Sequence, residues 1–326
     1  MLTVGIIGAG RVADVHAHAI SEIPDIDMTG VFDIDADRSQ KRAVEWGVRH
    51  YDDVDELITS PDNQALLVLT HVDSHLEIAN RAIAAGKHVF IEKPVGRNPA
   101  DIRATADLAA RHGVVAMPGH NYAYLPEFFR MKRLVDAGDL GELRALFINY
   151  VIKHPEEVAK DYSGVMEEVM IHHTYLSLAL LGAPRRVIAG ATENGWQHHT
   201  EEDQAWMTFD YGRASAHGFC TFGVDDYSSS PWSFVVKLLG TEGTATVDFR
   251  TAIFKRPLGT LNEAFVPYEE SYRNELESFA RAIEGREIPI SSMEDAAVAA
   301  GVIASAQQAR SEGRFVVRED TGGTRW

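Results

Sequence analysis

The sequence predicts an α/β protein in two parts: a doubly wound parallel sheet first, then an α+β domain carrying a mixed, largely antiparallel sheet. Three observations predict it. Before residue 120 short apolar runs alternate with helical patterns, beyond Gly141 β-rich runs crowd together between turn signals, and a glycine turn follows the first apolar run at once. With 326 residues, 45% hydrophobic and 9% aromatic, the chain can bury the cores of about two domains.

The early runs are Val4 to Ile7, Met28 to Phe32, Ala65 to Leu69, Val89 to Ile91 and Val114 to Met117, with helical periodicity between them, as in Ser74 to Ala85 and Asp101 to Arg111. Strand, helix, strand at that spacing predicts parallel strands with helices on both faces. Glu127 to Ala137 predicts a helix ended by Gly138. The later runs, Leu143 to Ile152, Arg186 to Ala191, Ala205 to Tyr211, Ala214 to Phe222, Phe234 to Leu239 and Thr244 to Phe249, predict the second sheet. Helices are expected over Gly164 to Leu181, Tyr272 to Ile283 and Ser292 to Arg310. The border is placed near Pro118 to His120, giving domains 1–120 and 121–326.

Charge and composition exclude several classes of function. A formal charge of −17, from 31 Lys and Arg against 48 Asp and Glu, repels phosphate backbones and anionic membranes. No apolar run reaches the ~20 residues of a membrane helix. The single Cys220 sits in an apolar strand pattern and has no partner for an intrachain disulfide. The chain reaches its glycine turn directly after Leu2 to Ile7, without the charged n-region of a secretory signal. A soluble, cytoplasmic protein is expected.

Gly8-Ala9-Gly10-Arg11-Val12-Ala13 is Gly-x-Gly-x-x-Ala between a strand and a helix, the setting of a dinucleotide fingerprint. Gly8 permits the tight turn, Gly10 lets backbone amides approach a pyrophosphate, and Ala13 lets helix pack closely on strand. Arg11 and Val12 open that helix, whose N-terminus favours an anion. Asp33 ends the second strand 25 residues after Gly8, where a carboxylate accepts from the adenosine ribose and repels a 2′-phosphate. NAD is therefore expected over NADP, with Asp35 and Arg38 close enough to blur the choice. A glycine turn and a solvated acid in an unrelated α/β fold is the plainer alternative.

Glu92-Lys93-Pro94 follows the strand Val89 to Ile91, and together with the fingerprint it resembles the Gfo/Idh/MocA family of oxidoreductases. Thr70 and His75 fit the family's Thr-Pro-Asn-x-x-His, with His71 and Val72 in place of Pro and Asn. Leu239 to Thr244 and the terminal Glu275-Leu276, Phe279, Ile283, Gly285, Pro289 and Glu294-Asp295-Ala296 extend the likeness over almost the whole chain. The resemblance implies a Rossmann domain before an open-faced sheet domain, homodimers or homotetramers formed through that sheet, and a cis peptide before Pro94. It also places Thr70, His75, Glu92 and Lys93 on the cofactor side. Lys93 has a rationale of its own: at the carboxyl end of a parallel strand its ammonium can hold cofactor and steady an alkoxide. The alternative is a solvated strand-end lysine.

The acid and base are expected in Glu168-Val169-Met170-Ile171-His172-His173. On one helix Glu168 and His172 share a face. An imidazole with an ordinary pKa of about 6.5 can accept a hydroxyl proton near neutral pH, and Glu168 would orient it. The family pattern here is Gly-Gly-x-Leu-x-Asp-x-Gly-x-His-x-x-Asp; the resemblance puts its histidine at His172 and its first aspartate at Glu168, while Met170 and Tyr175 depart from it. His173 is either a substrate contact or a core histidine. No third metal ligand follows at convincing spacing, so no metal is expected. Asn121, Tyr122 and Tyr124 offer hydroxyl-binding groups near the border, where Ala123 replaces a family arginine; an aromatic core is the alternative. Lys153 and His154 end a long strand and can face substrate. Trp196 to His199 and Glu201 to Asp203 read as a solvated loop, with Trp196 or His198 as lid residues.

The expectation is an NAD-dependent dehydrogenase acting on a secondary alcohol carbon of a sugar, sugar derivative or cyclitol, with Lys93, His172 and Glu168 catalytic. Two alternatives stay open: NAD-assisted elimination or glycoside cleavage without net redox change, and a non-catalytic sugar-sensing regulator.

Overall fold

A computed structural model of the chain describes residues 1–153, 162–192, 202–224, 233–248 and 268–318, together with the backbone of 251–256 and 259–264. Met1–Tyr124 with Glu269–Ala297 form one compact unit, and Leu125–Tyr268 with Val298–Trp326 form the other.

The first unit opens β1 (Leu2–Ile7), α1 (Arg11–Ser21), β2 (Ile26–Phe32), α2 (Ala36–Trp46), β3 (Arg49–His50), α3 (Val54–Thr59), β4 (Ala65–Val68), α4 (Val72–Ala84), β5 (His88–Glu92), α5 (Pro99–His112) and β6 (Ala116–Gly119). Its strands are all parallel in the order β3-β2-β1-β4-β5-β6. Winding starts at β1 and runs outward in both directions, so the order reverses between β1 and β4, where open α/β sheets hold ligands at their carboxyl ends. Every residue of β4, Ala-Leu-Leu-Val, is buried, as a strand covered on both faces requires. Side-chain caps set the helix starts: Asp35 Oδ1 accepts from the Arg38 amide at 3.1 Å, and Asn98 Oδ1 from the Ala100 amide at 2.9 Å ahead of Pro99.

After a 3-10 turn at Asn121–Tyr124, the second unit holds α6 (Pro126–Asp136), β7 (Leu143–Val151), α7 (Val165–Glu168), α8 (Met170–Leu181), β8 (Arg186–Thr192), β9 (Gln204–Asp210), β10 (Ser215–Thr221), β11 (Ser233–Gly240), β12 (Thr244–Asp248), β13 (Thr251–Arg256) and β14 (Gly259–Ala264). The chain then returns to the first unit with α9 (Glu269–Ile283), which packs on α1 and on the turn at Asn121–Tyr124. Helix α10 (Met293–Glu312) spans the division between the units, and β15 (Val316–Val317) closes the sheet of the second. That sheet has nine strands in the order β14-β13-β12-β11-β7-β10-β9-β8-β15. Among the described residues β7 and β10 pair in parallel and every other pair is antiparallel. In β7, Leu146, Ile148 and Tyr150 are buried while Phe147 is exposed, the alternation of a sheet covered on one face. Helix α8 lies on the covered face; a Cβ at Gly218 of β10 would come within 3.0 Å of the His173 ring.

Two expectations change. The helix expected over Gly164 to Leu181 is broken: Val169 (φ −117°, ψ −43°) ends α7 and starts α8. Glu202 and Asp203, expected in a solvated loop, are buried. Glu202 Oε1 accepts from the Met166 amide at 3.2 Å, satisfying an otherwise unbonded donor at the start of α7, and Oε2 accepts from Arg310 Nη1 at 2.7 Å. Trp196 to His199, Glu201 and His154 lie outside the described residues. Cys220 is buried in β10, and burial pushes its thiol well up. Among the described residues no helix is long and apolar enough to cross a membrane, and no three His, Cys, Asp or Glu side chains form a group that could hold a metal ion.

Candidate active site

The glycine turn is built from backbone necessity. Gly8 has φ +99°, and a Cβ there would lie 2.7 Å from the Leu69 carbonyl carbon and oxygen. At Gly10, the residue before α1, a Cβ would meet nothing within 4 Å, and no side chain caps the helix. The α1 N-terminus is thus an uncapped anion site with an open approach. Ala13 is fully buried where helix packs on sheet. Arg11 is exposed and Val12 half-buried in the first turn. Asp33, at the end of β2, accepts from the Ala9 amide at 2.6 Å and from the Asp35 amide at 2.9 Å. A carboxylate has about four acceptor directions, so capacity remains for a ribose. Arg38 Nη1 lies 3.5 Å from Asp33 and its Nη2 3.1 Å from Asp35.

At the end of β5 the peptide between Lys93 and Pro94 is cis. Lys93 is half-buried, and its charge acts on His120, whose imidazole is pushed down to about 3, by burial first and by that ammonium second. His120 Nδ1 lies 2.6 Å from Ser291 Oγ. His120 opens the border cluster that carries Asn121, Tyr122 and Tyr124, where the sequence assigns roles to the amide and the phenols but none to this imidazole. Glu92 is buried, with Oε2 3.3 Å from His16 Nε2, and a Cβ at Gly119 would come within 2.8 Å of the same oxygen.

His75 is corrected from a cofactor contact to a brace. Its Nδ1 lies 2.8 Å from the Pro94 carbonyl and its Nε2 2.9 Å from the Thr70 carbonyl, and its ring is buried. Both ring nitrogens face backbone carbonyls, one in the β4–α4 turn and one in the loop after Lys93, and the neutral ring donates to one of them. Burial lowers its pKa. Thr70 Oγ1 bonds Ser74 Oγ at 2.8 Å within the same turn.

Asn121, Tyr122 and Tyr124 are corrected likewise from substrate contacts to packing residues. All three are buried. Asn121 Nδ2 donates to Ser271 Oγ at 3.3 Å, and the Tyr124 carbonyl accepts from Asn274 Nδ2 at 3.1 Å, both on α9. Burial drives the pKa of the Tyr124 phenol up.

In the second unit His172 is buried in the first turn of α8. Its Nδ1 lies 2.6 Å from the Tyr175 hydroxyl, with the rings edge to face at 5.4 Å. Tyr175, which departs from the family pattern, thus meets the imidazole at Nδ1. Glu168 ends α7, on the far side of the break, so the shared-face argument for the pair does not apply; its Oε1 is 3.5 Å from the Ser163 amide. Of the two readings of His173, the core histidine fits its place: fully buried, Nε2 3.1 Å from the Phe219 carbonyl, pushed down to about 4 by burial. Lys153 follows the end of β7 and is exposed.

Residues 2–120 match the model of an oxidoreductase family with an NAD-binding Rossmann fold, Gfo/Idh/MocA, and residues 128–246 match that of the family's C-terminal domain. The chain belongs to the Gfo/Idh/MocA oxidoreductase family. Its cofactor is NAD, which the uncapped α1 terminus, the open approach at Gly10 and the carboxylate of Asp33 fit. Within the family, the myo-inositol 2-dehydrogenase of Thermotoga maritima is 25% identical over 99% of this chain and 100% of its own. The inositol 2-dehydrogenase of Rhizobium meliloti is 26% identical over 87% of this chain and 89% of its own. An oxidoreductase from Agrobacterium radiobacter, solved with NAD+, L-tartaric acid and magnesium, shares the fold at a TM-score of 0.88 and 18% identity, over 97% of this chain and 98% of that one.

Proposed function

We propose that this oxidoreductase is a dehydrogenase of a secondary alcohol carbon in a sugar, sugar derivative or cyclitol. The observation that carries the reading is the His172–Tyr175 contact of 2.6 Å, an imidazole held at Nδ1 in a chain otherwise equipped for NAD. When Nδ1–H donates to the tyrosine oxygen, Nε2 carries the lone pair by which a neutral imidazole accepts a hydroxyl proton. Lys93 steadies the oxygen as it loses that proton. NAD, when bound, takes up the hydride that leaves the same carbon. Gly8, Gly10, Arg11 and Val12 frame its pyrophosphate and Asp33 its ribose, with Thr70, Glu92 and Lys93 on the nicotinamide side. Lys153 is the substrate contact kept from the sequence reading. The inositol dehydrogenases among the relatives support a polyhydroxylated ring as substrate.

The test is NADH fluorescence of the purified protein against inositols, aldoses, deoxy sugars and glycosides. NADH formation with one of them supports the reading. Ligand-induced stabilisation with no turnover across the panel would instead favour a sensor, and turnover without NADH accumulation an elimination or glycoside cleavage. His172→Ala should lower kcat by about 10²-fold or more with NAD affinity kept, while Lys93→Ala lowers both. Wild-type turnover in both variants overturns the roles.

A further inference from the structure

Around Glu92, which precedes Lys93, lies a buried group of titratable side chains, of which His16 and Glu275 have no part in the proposed reaction. His16 on α1 is fully buried, edge-on to Phe90 and Tyr272 with centroids 5.3 and 5.1 Å away, and its Nε2 approaches Glu92 Oε2. Glu275 on α9 is fully buried, and neither of its carboxyl oxygens has a hydrogen-bond partner among the described residues. The charge that acts on it is that of another carboxyl, Glu92. The charge of Glu275 also acts on the Tyr124 phenol in the turn before α6. Glu92 has an imidazole beside it; among the described residues no donor bonds Glu275. Burying a lone carboxylate is far costlier than burying a carboxylic acid.

We infer that Glu275 is a resident carboxylic acid, which leaves Glu92 the one anion of the His16–Glu92–Glu275 group. Burial, and then the Glu92 charge, hold its pKa well above the ordinary carboxylate range.

The experiment is infrared spectroscopy of the full chain labelled with ¹³C-glutamate, beside Glu275→Gln. The expected result is the carbonyl stretch of a protonated glutamate at pH 7, persisting at pH 8.5 and absent from Glu275→Gln. Thermal melts give the second readout. A carboxyl whose folded pKa is raised contributes stability below its unfolded pKa and loses it as pH rises. Glu275→Gln should therefore gain in Tm on the wild type between pH 5 and pH 8.5, with kcat/KM at pH 7 within about twofold. No acid band at pH 7, a Tm loss equal at every pH, or a fall in kcat/KM of about tenfold would each overturn the inference. Where Glu275→Gln does not accumulate as folded protein, Glu275→Met takes its place in the infrared and melting comparisons. Those two readouts use neither substrate nor cofactor, so failure of the dehydrogenase reading leaves them intact.

Discussion

The Tyr175 hydroxyl lies 2.6 Å from His172 Nδ1, one turn along α8. A carboxylate in that place would stabilise the imidazolium by charge; a phenol offers one neutral hydrogen bond, worth about 1 kcal/mol. Its value to the reaction is the tautomer it selects and the ring direction it fixes. Tyr175→Phe keeps the ring packing and deletes the bond. We expect kcat to fall by roughly tenfold, short of the 10²–10⁴ that a positioned base contributes, with NAD affinity and Tm close to wild type. Steady-state kinetics with NAD titrated separately measures both, and an unchanged kcat would remove Tyr175 from the machinery.

Asp33 and the Ala9 amide, 2.6 Å apart, couple the ribose site to the glycine turn. Asp33→Ser shortens the acceptor and removes its charge. NAD affinity should fall about tenfold, the worth of a charge-assisted hydrogen bond. NADP should lose less, because the repulsion of a 2′-phosphate is gone and Arg38 stays beside the site. The ratio of kcat/KM for the two cofactors reads this directly, and a ratio equal to that of the wild type contradicts the role.

The strand, glycine turn and helix around Gly8 and Gly10, and the strand ends before Asp33 and Lys93, were legible because each pattern lies within one short segment. The alternation of strands and helices in the first unit was legible for the same local reason. What escaped depends on partners remote in sequence. Asn121 meets Ser271 at a separation of 150 residues, and Glu202 meets Arg310 at 108; neither pairing leaves a periodic trace, so a buried amide read as a ligand contact and a buried acid as a solvated one. The break at Val169 escaped because Val169 to His173 carries no glycine or proline to mark it. The hairpin of β13 and β14 hid behind Lys255, Arg256 and Pro257, which interrupt its apolar pattern.

Acid should unfold this protein through its buried imidazoles. His173 is pushed down to about 4 and His120 to about 3, burial being the first cause of each. Both stay neutral in the folded chain while the unfolded chain takes up protons below pH 6.5. Stability is thus full above that value and is lost as pH falls toward 4 and 3. For His173 the loss is on the order of 3 kcal/mol. Urea unfolding at pH 7.5 and pH 5 checks it, with His173→Gln expected to show the smaller difference between the two. Equal midpoints for the wild type at both values would contradict the burial of these rings.

Gly8 and Gly10 should fail in different ways when each is given a methyl group. At Gly8 the backbone has φ +99° and the new Cβ would press on the Leu69 carbonyl at 2.7 Å. Neither the conformation nor that contact can relax without moving β4, so Gly8→Ala should cost about 2–4 kcal/mol of stability. At Gly10 the φ is −72°, and a Cβ meets nothing within 4 Å. Gly10→Ala should melt with the wild type and still bind NAD at least about tenfold more weakly, because its methyl group occupies the open approach to the α1 terminus. Paired melting curves and NAD titrations separate the two effects. Full NAD affinity in Gly10→Ala would mean that the pyrophosphate does not approach the chain at this turn.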